Sequence, residues 1–177
     1  TVPIAIAGVL FKHAVEGPLR SLAVIGTSLV VVGLVMAAVE WLARHERAMD
    51  SLRLRDALII GLGQALALVP GVSRSGITLA FAMAIGLRRD AAARFSFLLS
   101  IPAVAAAAVF ELPTLLHNRE VGISALVAGL AAAAVSGYLC IRWLLRFLRT
   151  RTTYSFVVYR VALGFLLLGA VLAGRLA

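Results

Sequence analysis

Long apolar runs alternate along this chain with short polar stretches rich in arginine. Residues 22–43, 95–116, 123–145 and 156–174 are each close to twenty predominantly apolar residues. At about 1.5 Å of rise per residue, that is the length of helix needed to cross a hydrocarbon core of about 30 Å. Residues 2–11 are apolar but amount to only about 15 Å of helix, which reads as the tail of a truncated element. Lys12, His13, Glu16, Gly17, Pro18 and Arg20 then make a polar connection. His13 and Glu16 could share a helical turn, although a solvated helix end accounts for them as well.

Two shorter apolar arms, 56–69 and 77–87, flank the polar stretch Pro70-Gly71-Val72-Ser73-Arg74-Ser75-Gly76. The second arm, about 16 Å of helix, is too short to span. Pro70 has no amide hydrogen and biases Val69 away from helix, and glycines at 71 and 76 tolerate backbone angles closed to other residues, so the helix breaks there. The pattern predicts an all-α polytopic membrane protein of about four transmembrane helices plus a re-entrant helical hairpin over 56–88.

The arginines decide between re-entry and crossing. With a re-entrant hairpin, eleven fall on one side (Arg44, Arg47, Arg53, Arg55, Arg88, Arg89, Arg94, Arg142, Arg146, Arg149, Arg151), against Lys12, Arg20, Arg119 and Arg175 on the other. A hairpin counted as one full span would set the 142–151 cluster opposite the 44–55 cluster. The positive-inside rule therefore favours re-entry and marks the arginine-rich side as cytoplasmic.

Composition agrees with this picture. Of 177 residues, 62% are hydrophobic and 14% charged, and the mean hydropathy of +1.03 is far above that of a soluble domain. The net charge of +9 sits at the ends of apolar runs without interleaved exposed aromatics, which argues for topology signals and lipid headgroups and against nucleic acid. The single Cys140 excludes a disulfide framework or cysteine metal site within the chain and reads as a small buried hydrophobe. Gly129, Ala133 and Gly137, four apart, predict a face for close helix packing.

The stretch at 70–78 carries the candidate chemistry. A helix starting at Ile77 would direct its free N–H groups and the positive end of its dipole at one point, together with the Ser73 and Ser75 hydroxyls and the Arg74 guanidinium. Such a point suits a phosphate, whose oxygens the guanidinium fork pairs two at a time. The plainer alternative is a tight polar turn with Arg74 snorkelling to water. Irregular backbone at membrane depth, however, is tolerated only where it is buried in protein or lines a wet cavity. Arg74 and Arg160 are the two strong charges left inside apolar surroundings, and a charge there costs roughly 2.5 to 3.5 kcal/mol on insertion scales. For Arg160, beside Tyr159 near the start of the last helix, snorkelling and a role at the site both remain open.

These residues resemble the bacterial undecaprenyl-diphosphate phosphatases of the bacitracin-resistance type. The resemblance rests on Gly61-Leu62-Gly63-Gln64-Ala65-Leu66-Ala67-Leu68, on Pro70-Gly71-Val72-Ser73-Arg74-Ser75-Gly76-Ile77-Thr78, on Ala92-Ala93-Arg94-Phe95-Ser96-Phe97-Leu98-Leu99-Ser100-Ile101-Pro102-Ala103, and on Tyr159-Arg160. It implies hydrolysis of a C55 polyprenyl diphosphate to the monophosphate and inorganic phosphate at the outer face of the bacterial inner membrane, recycling the lipid carrier for wall synthesis and conferring bacitracin resistance. It also implies two inverted repeats, with residues 22–177 as the second and 1–21 as the end of what precedes it, all within one membrane domain. By the same resemblance Arg74, Ser73 and Thr78 are the catalytic set, with Arg74 as diphosphate clamp, and Ser75, Gly71, Gly76 and Arg160 bind phosphate. The family's glutamates and histidine are expected ahead of Thr1, since Gln64 in the matching place cannot ionise. The segment is accordingly expected to be inactive alone. A divalent cation, Mg or Ca, is implied, with no ligand in this segment. Expected partners are the polyprenyl diphosphate and membrane lipids, with homo-oligomerisation open. The rival reading is an anionic-lipid flippase or secondary transporter, since broken helices from inverted repeats also bind anions in carriers; a ligand-free scaffold would leave Arg74 at that depth without a reason.

Overall fold

A computed structural model of the chain describes residues 2–10, 18–117 and 122–174. Their regular elements are helices: α1 (Val2–Leu10), α2 (Leu22–Leu42), α3 (Leu54–Ala65), α4 (Arg74–Ala84), α5 (Arg89–His117), α6 (Ile123–Thr150) and α7 (Tyr154–Leu172), with 3-10 turns at Pro18–Arg20, Met49–Ser51 and Leu66–Leu68. Lys12, His13, Glu16, Gly17, Asn118, Arg119, Glu120 and Arg175 lie outside the described residues. Four helices, α2, α5, α6 and α7, are long and apolar enough to cross a membrane. The chain is an all-α, multi-pass membrane protein.

Helix α2 starts at Ser21, whose hydroxyl accepts the Val24 N–H at 3.3 Å. It packs along α7 almost backbone to backbone. A Cβ at Gly164 would stand 2.6 Å from Val30 Cγ2 and 2.8 Å from the Gly26 carbonyl oxygen, so no side chain fits there. In lipid, where apolar burial gives no drive toward association, close approach through small residues is what binds two helices.

Between α2 and α5 the chain makes the hairpin, and one residue closes its root. The Arg47 N–H donates to the Gly86 carbonyl at 2.8 Å, and the Arg88 N–H donates to the Arg47 carbonyl at 2.9 Å. The Arg47 guanidinium donates to the Ile85 carbonyl at 3.0 Å and to Asp56 Oδ2 at 2.5 Å. The residue ahead of the first arm thus grips both the start of that arm and the end of the second, so the hairpin enters and leaves at one end of the molecule. The hydrogen bond from Arg47 holds the Asp56 carboxyl below the usual carboxylate range. The arms touch where a Cβ on Gly63 would overlap the Phe81 ring.

The second arm begins at Arg74, three residues before the expected start at Ile77. Ser73 causes the shift: its hydroxyl accepts the Gly76 N–H at 3.3 Å and its carbonyl accepts the Ile77 N–H at 3.0 Å, which winds residues 74–76 into the first turn. Ahead of the break, Leu66–Leu68 tighten to a 3-10 turn and Val69 is extended (φ −74, ψ 122), as a residue before proline must be. At the other end of the sequence α6 runs on to Thr150, so Arg142, Arg146 and Arg149 project from a helix and not from a loop. The strip at Gly129 and Gly137 meets nothing within 4 Å among the described residues.

A buried carboxylate ties three helices at the arginine-rich end. Glu40 Oε1 accepts two hydrogen bonds from the Arg89 guanidinium, one at 2.7 Å. Its Oε2 accepts the Thr153 hydroxyl at 2.7 Å and the Thr153 N–H at 3.2 Å. The last turn of α2, the first residue of α5 and the N-cap of α7 are thereby fixed together, with both carboxylate oxygens satisfied.

Candidate active site

The hairpin tip is wedged against α2. Gly71 has φ +91, and a Cβ on it would lie 2.6 Å from the Ile25 carbonyl oxygen, so the position needs glycine both for its backbone angle and for the approach. Two residues on, Ser73 also has positive φ (+45). A non-glycine residue in that region carries strain of about 1–3 kcal/mol, which the surroundings must hold in place. Here the Ser73 hydroxyl, bonded to the Gly76 amide, stands 3.4 Å from the Ser75 hydroxyl. Among the described residues the Arg74 and Ser75 amides are left without an acceptor, as the first donors of α4.

Arg160 arrives at the same point from α7. It is 8% exposed, and its Cβ lies 3.5 Å from where a Cβ on Gly33 would be, so the absence of a side chain on α2 makes room for it. Its Nη2 donates to the Gly71 carbonyl at 2.7 Å. Its Nη1 stands 3.5 Å from the Cβ position of Gly76, and its Nε is buried with no partner among the described residues. The guanidinium therefore braces the tip of the hairpin and still has unused donors beside the start of α4.

These groups face a cavity of about 250 Å³. Its polar lining is Ser73, Ser75, Gly76, Ser96, Tyr159 and Arg160, and its walls are apolar, with Met36, Leu79, Phe97 and Phe156 among them. Ser96 is buried and its hydroxyl has no partner among the described residues. A buried guanidinium with no carboxylate partner among the described residues, two hydroxyls, an orphaned third and a bare helix start make a site for an anion. Along α7 the cavity is shallow: Arg160 is six residues past Tyr154, about 9 Å of helix from the arginine-rich end.

Not all the expected residues converge. Ser73, Ser75, Gly76 and Arg160 line the cavity, and Gly71 joins them through its carbonyl. Arg74 and Thr78 do not line it. Thr78 is fully buried and its hydroxyl donates to the Arg74 carbonyl at 2.7 Å, so it serves the first turn of α4. Arg74 is partly buried, and its guanidinium makes no hydrogen bond or ion pair among the described residues. The guanidinium that looks into the cavity is that of Arg160, and it does not snorkel. Ser96 was absent from the expected set, because a serine in an apolar helix gives no sign of the face it occupies. Gln64, 1% exposed near the end of the first hairpin arm, has both side-chain amide atoms unpaired among the described residues. Among the described residues no three His, Cys, Asp or Glu side chains come together. The cavity's own donor set, a cation and hydroxyls, does not suit a divalent metal ion, and no step here runs through one.

Comparison with known proteins shows the family of the chain. The family model described as bacitracin resistance protein BacA matches residues 1–166. An undecaprenyl-diphosphatase of Myxococcus xanthus (strain DK1622) is 51% identical over 177 residues, covering 99% of this chain and 60% of that protein. One from Synechococcus elongatus is 48% identical over 182 residues, covering 99% and 63% respectively. One from Mycolicibacterium smegmatis is 44% identical over 181 residues, covering 100% and 66%. The chain spans about 60% of the length of the first of these relatives.

Proposed function

The chain belongs to the bacitracin resistance protein BacA family, and from that premise we propose that its cavity binds the diphosphate of a polyprenyl diphosphate for hydrolysis to the lipid monophosphate and inorganic phosphate. The setting is the bacterial inner membrane, where the product would return to wall synthesis and the activity would confer bacitracin resistance. Residues 1–177 form part of one membrane domain in this reading, with 22–177 as the second of two inverted repeats.

One observation carries the proposal: Arg160 is buried, has no counter-ion among the described residues, bridges to the carbonyl of Gly71 and keeps donors free beside the start of α4. Cleaving a phosphoanhydride spreads negative charge over the phosphoryl and leaving oxygens, and donors already in place for that charge lower the barrier. Arg160, the Ser73 and Ser75 hydroxyls and the Arg74 and Ser75 amides would take those oxygens. Ser96 would supply a further donor, and the apolar walls would raise the strength of each contact by excluding water. Arg74, one residue from Ser73, would serve as a second guanidinium for the part of the diphosphate outside the cavity. Thr78 would act through the first turn of α4. A divalent cation would have to be held by groups beyond this donor set.

A carrier is the second reading, favoured by the 9 Å depth noted above, which is nearer the arginine-rich end than chemistry at the outer face leads one to expect. Purified full-length protein in detergent, with no second compartment, separates the two. Release of inorganic phosphate from a polyprenyl diphosphate is the expected result. Binding without release would favour the carrier.

A further inference from the structure

Away from the cavity, the arginine-rich ends of α5 and α6 make a second concavity. Arg142, Arg146 and Arg149 follow one another on α6 at spacings of four and three, hence on one face, with Tyr138 one turn before them. With Arg94 of α5 they line a pocket of about 370 Å³. Among the described residues Arg94, Arg142 and Arg146 make no ion pair, and Arg149 reaches only Asp90, at 3.8 Å, which is shared with Arg88. Four guanidiniums thus stand around one hollow with a single acidic residue in reach.

The hollow does not end at the charges. Arg94, Ile141 and Leu145 also line a groove of about 630 Å³ between the same helices, which continues along α5 past Phe97, Leu98, Ile101, Val104 and Ala105 to Ala108. From Arg94 to Ala108 is fourteen residues, about 21 Å of helix, or somewhat more than one leaflet of a hydrocarbon core of about 30 Å. A charged head site opening into an apolar track one leaflet long has the shape and polarity of a phospholipid.

We infer that the α5–α6 face binds an anionic glycerophospholipid of the surrounding leaflet, its phosphate between Arg94, Arg142, Arg146 and Arg149 and one acyl chain in the groove. Charge complementarity selects the anionic head, since a zwitterionic headgroup brings its own cation to the same four arginines. The arginine head site shares no residue with the diphosphate cavity, the groove meets that cavity only at Phe97, and the inference does not depend on the hydrolytic reading.

The test uses delipidated full-length protein in neutral detergent, titrated with dioleoyl phosphatidylglycerol, dioleoyl phosphatidylcholine or inorganic phosphate, with bound lipid counted by native mass spectrometry. Phosphatidylglycerol is expected to bind in preference to phosphatidylcholine. Arg142→Gln with Arg146→Gln should weaken it roughly 30-fold, whereas Arg53→Gln with Arg55→Gln, the same loss of charge elsewhere at that end, should change it little. Ala105→Trp, which fills the groove, should weaken the lipid in a protein whose melting shows it folded. Equal binding of the two lipids would overturn the inference, as would equal loss in the two arginine pairs, which would mean diffuse surface charge. Displacement of phosphatidylglycerol by inorganic phosphate would reduce the site to a simple anion site and refute its lipid character.

Discussion

Replacing Arg160 with methionine separates binding chemistry from structural support. The residue is 8% exposed and its guanidinium has, among the described residues, one hydrogen bond, to the Gly71 carbonyl at 2.7 Å, with no carboxylate to offset its burial. Losing that bond costs about 1.5–3 kcal/mol, the range for a charged donor. Removing an uncompensated buried ion returns several kcal/mol of desolvation. Methionine also fills much of the same volume along the α2–α7 contact. Arg160→Met is therefore expected to leave the melting temperature of the full-length protein unchanged or raised. Phosphate release from a polyprenyl diphosphate should fall about 10²–10³-fold, the usual loss when a preorganised donor is removed from developing charge. Arg160→Lys keeps the charge but not the fork and should recover only part of the rate. The two readouts are a thermal melt and phosphate release per folded molecule. A variant that melts much earlier yet turns over normally per folded molecule would show that Arg160 only props the hairpin tip, and would refute the reasoning.

Three further outcomes follow from the same contacts. Glu40→Gln leaves the Arg89 guanidinium without its carboxylate; because Arg89 is 29% exposed and can turn to water, the expected loss is about 2–3 kcal/mol, below the 3–5 of a fully buried pair, read as a lower melting temperature. An unchanged melt would deny that the knot holds α2, α5 and α7 together. Asp56 has its folded pKa depressed by the Arg47 hydrogen bond, so its contribution is present above the ordinary carboxylate pKa and is lost as pH falls through the lowered value. Protection factors at 85–88, taken relative to the intrinsic exchange rate at each pH, should fall at acid pH in the wild type and be low and insensitive to that change in Asp56→Asn; parallel pH profiles of protection would contradict this. Gly71→Ala combines a forbidden φ of +91 with a Cβ 2.6 Å from the Ile25 carbonyl, and should displace the tip, lowering both stability and phosphate release. Wild-type behaviour of Gly71→Ala would mean that the tip does not sit against α2.

Much of this architecture was legible in the residues. Hydropathy marked α2, α5, α6 and α7, and the distribution of arginines marked the hairpin, because both signals arise from single residues meeting lipid or water. Pro70 and Gly71 located the break for local backbone reasons. The start of α4 was not legible to within a turn, since it hangs on the Ser73 cap at positive φ, and a serine followed by arginine and serine does not announce that angle. The orientation of Arg160 depends on a missing side chain at Gly33, 127 positions earlier in the chain, so the sequence left snorkelling and inward burial equally open. Arg74 drew attention by sitting inside the polar motif, yet the helix turns it off the cavity while its neighbours Ser73 and Ser75 stay on it. The partners Glu40 and Thr153 are 113 residues apart, and only the α2–α7 packing brings them together. Ser96 lies in a stretch that carries the family resemblance, but nothing in its immediate neighbours distinguishes an inward hydroxyl from an outward one.

The most direct measurement is calorimetric titration of the full-length protein, wild type and Arg160→Met, with a non-hydrolysable methylene analogue of a short polyprenyl diphosphate. Binding by the wild type that weakens at least tenfold in Arg160→Met, about 1.4 kcal/mol or more, is the expected outcome. Equal affinity in both proteins would mean that the buried guanidinium does not meet the diphosphate, and that the anion site lies elsewhere.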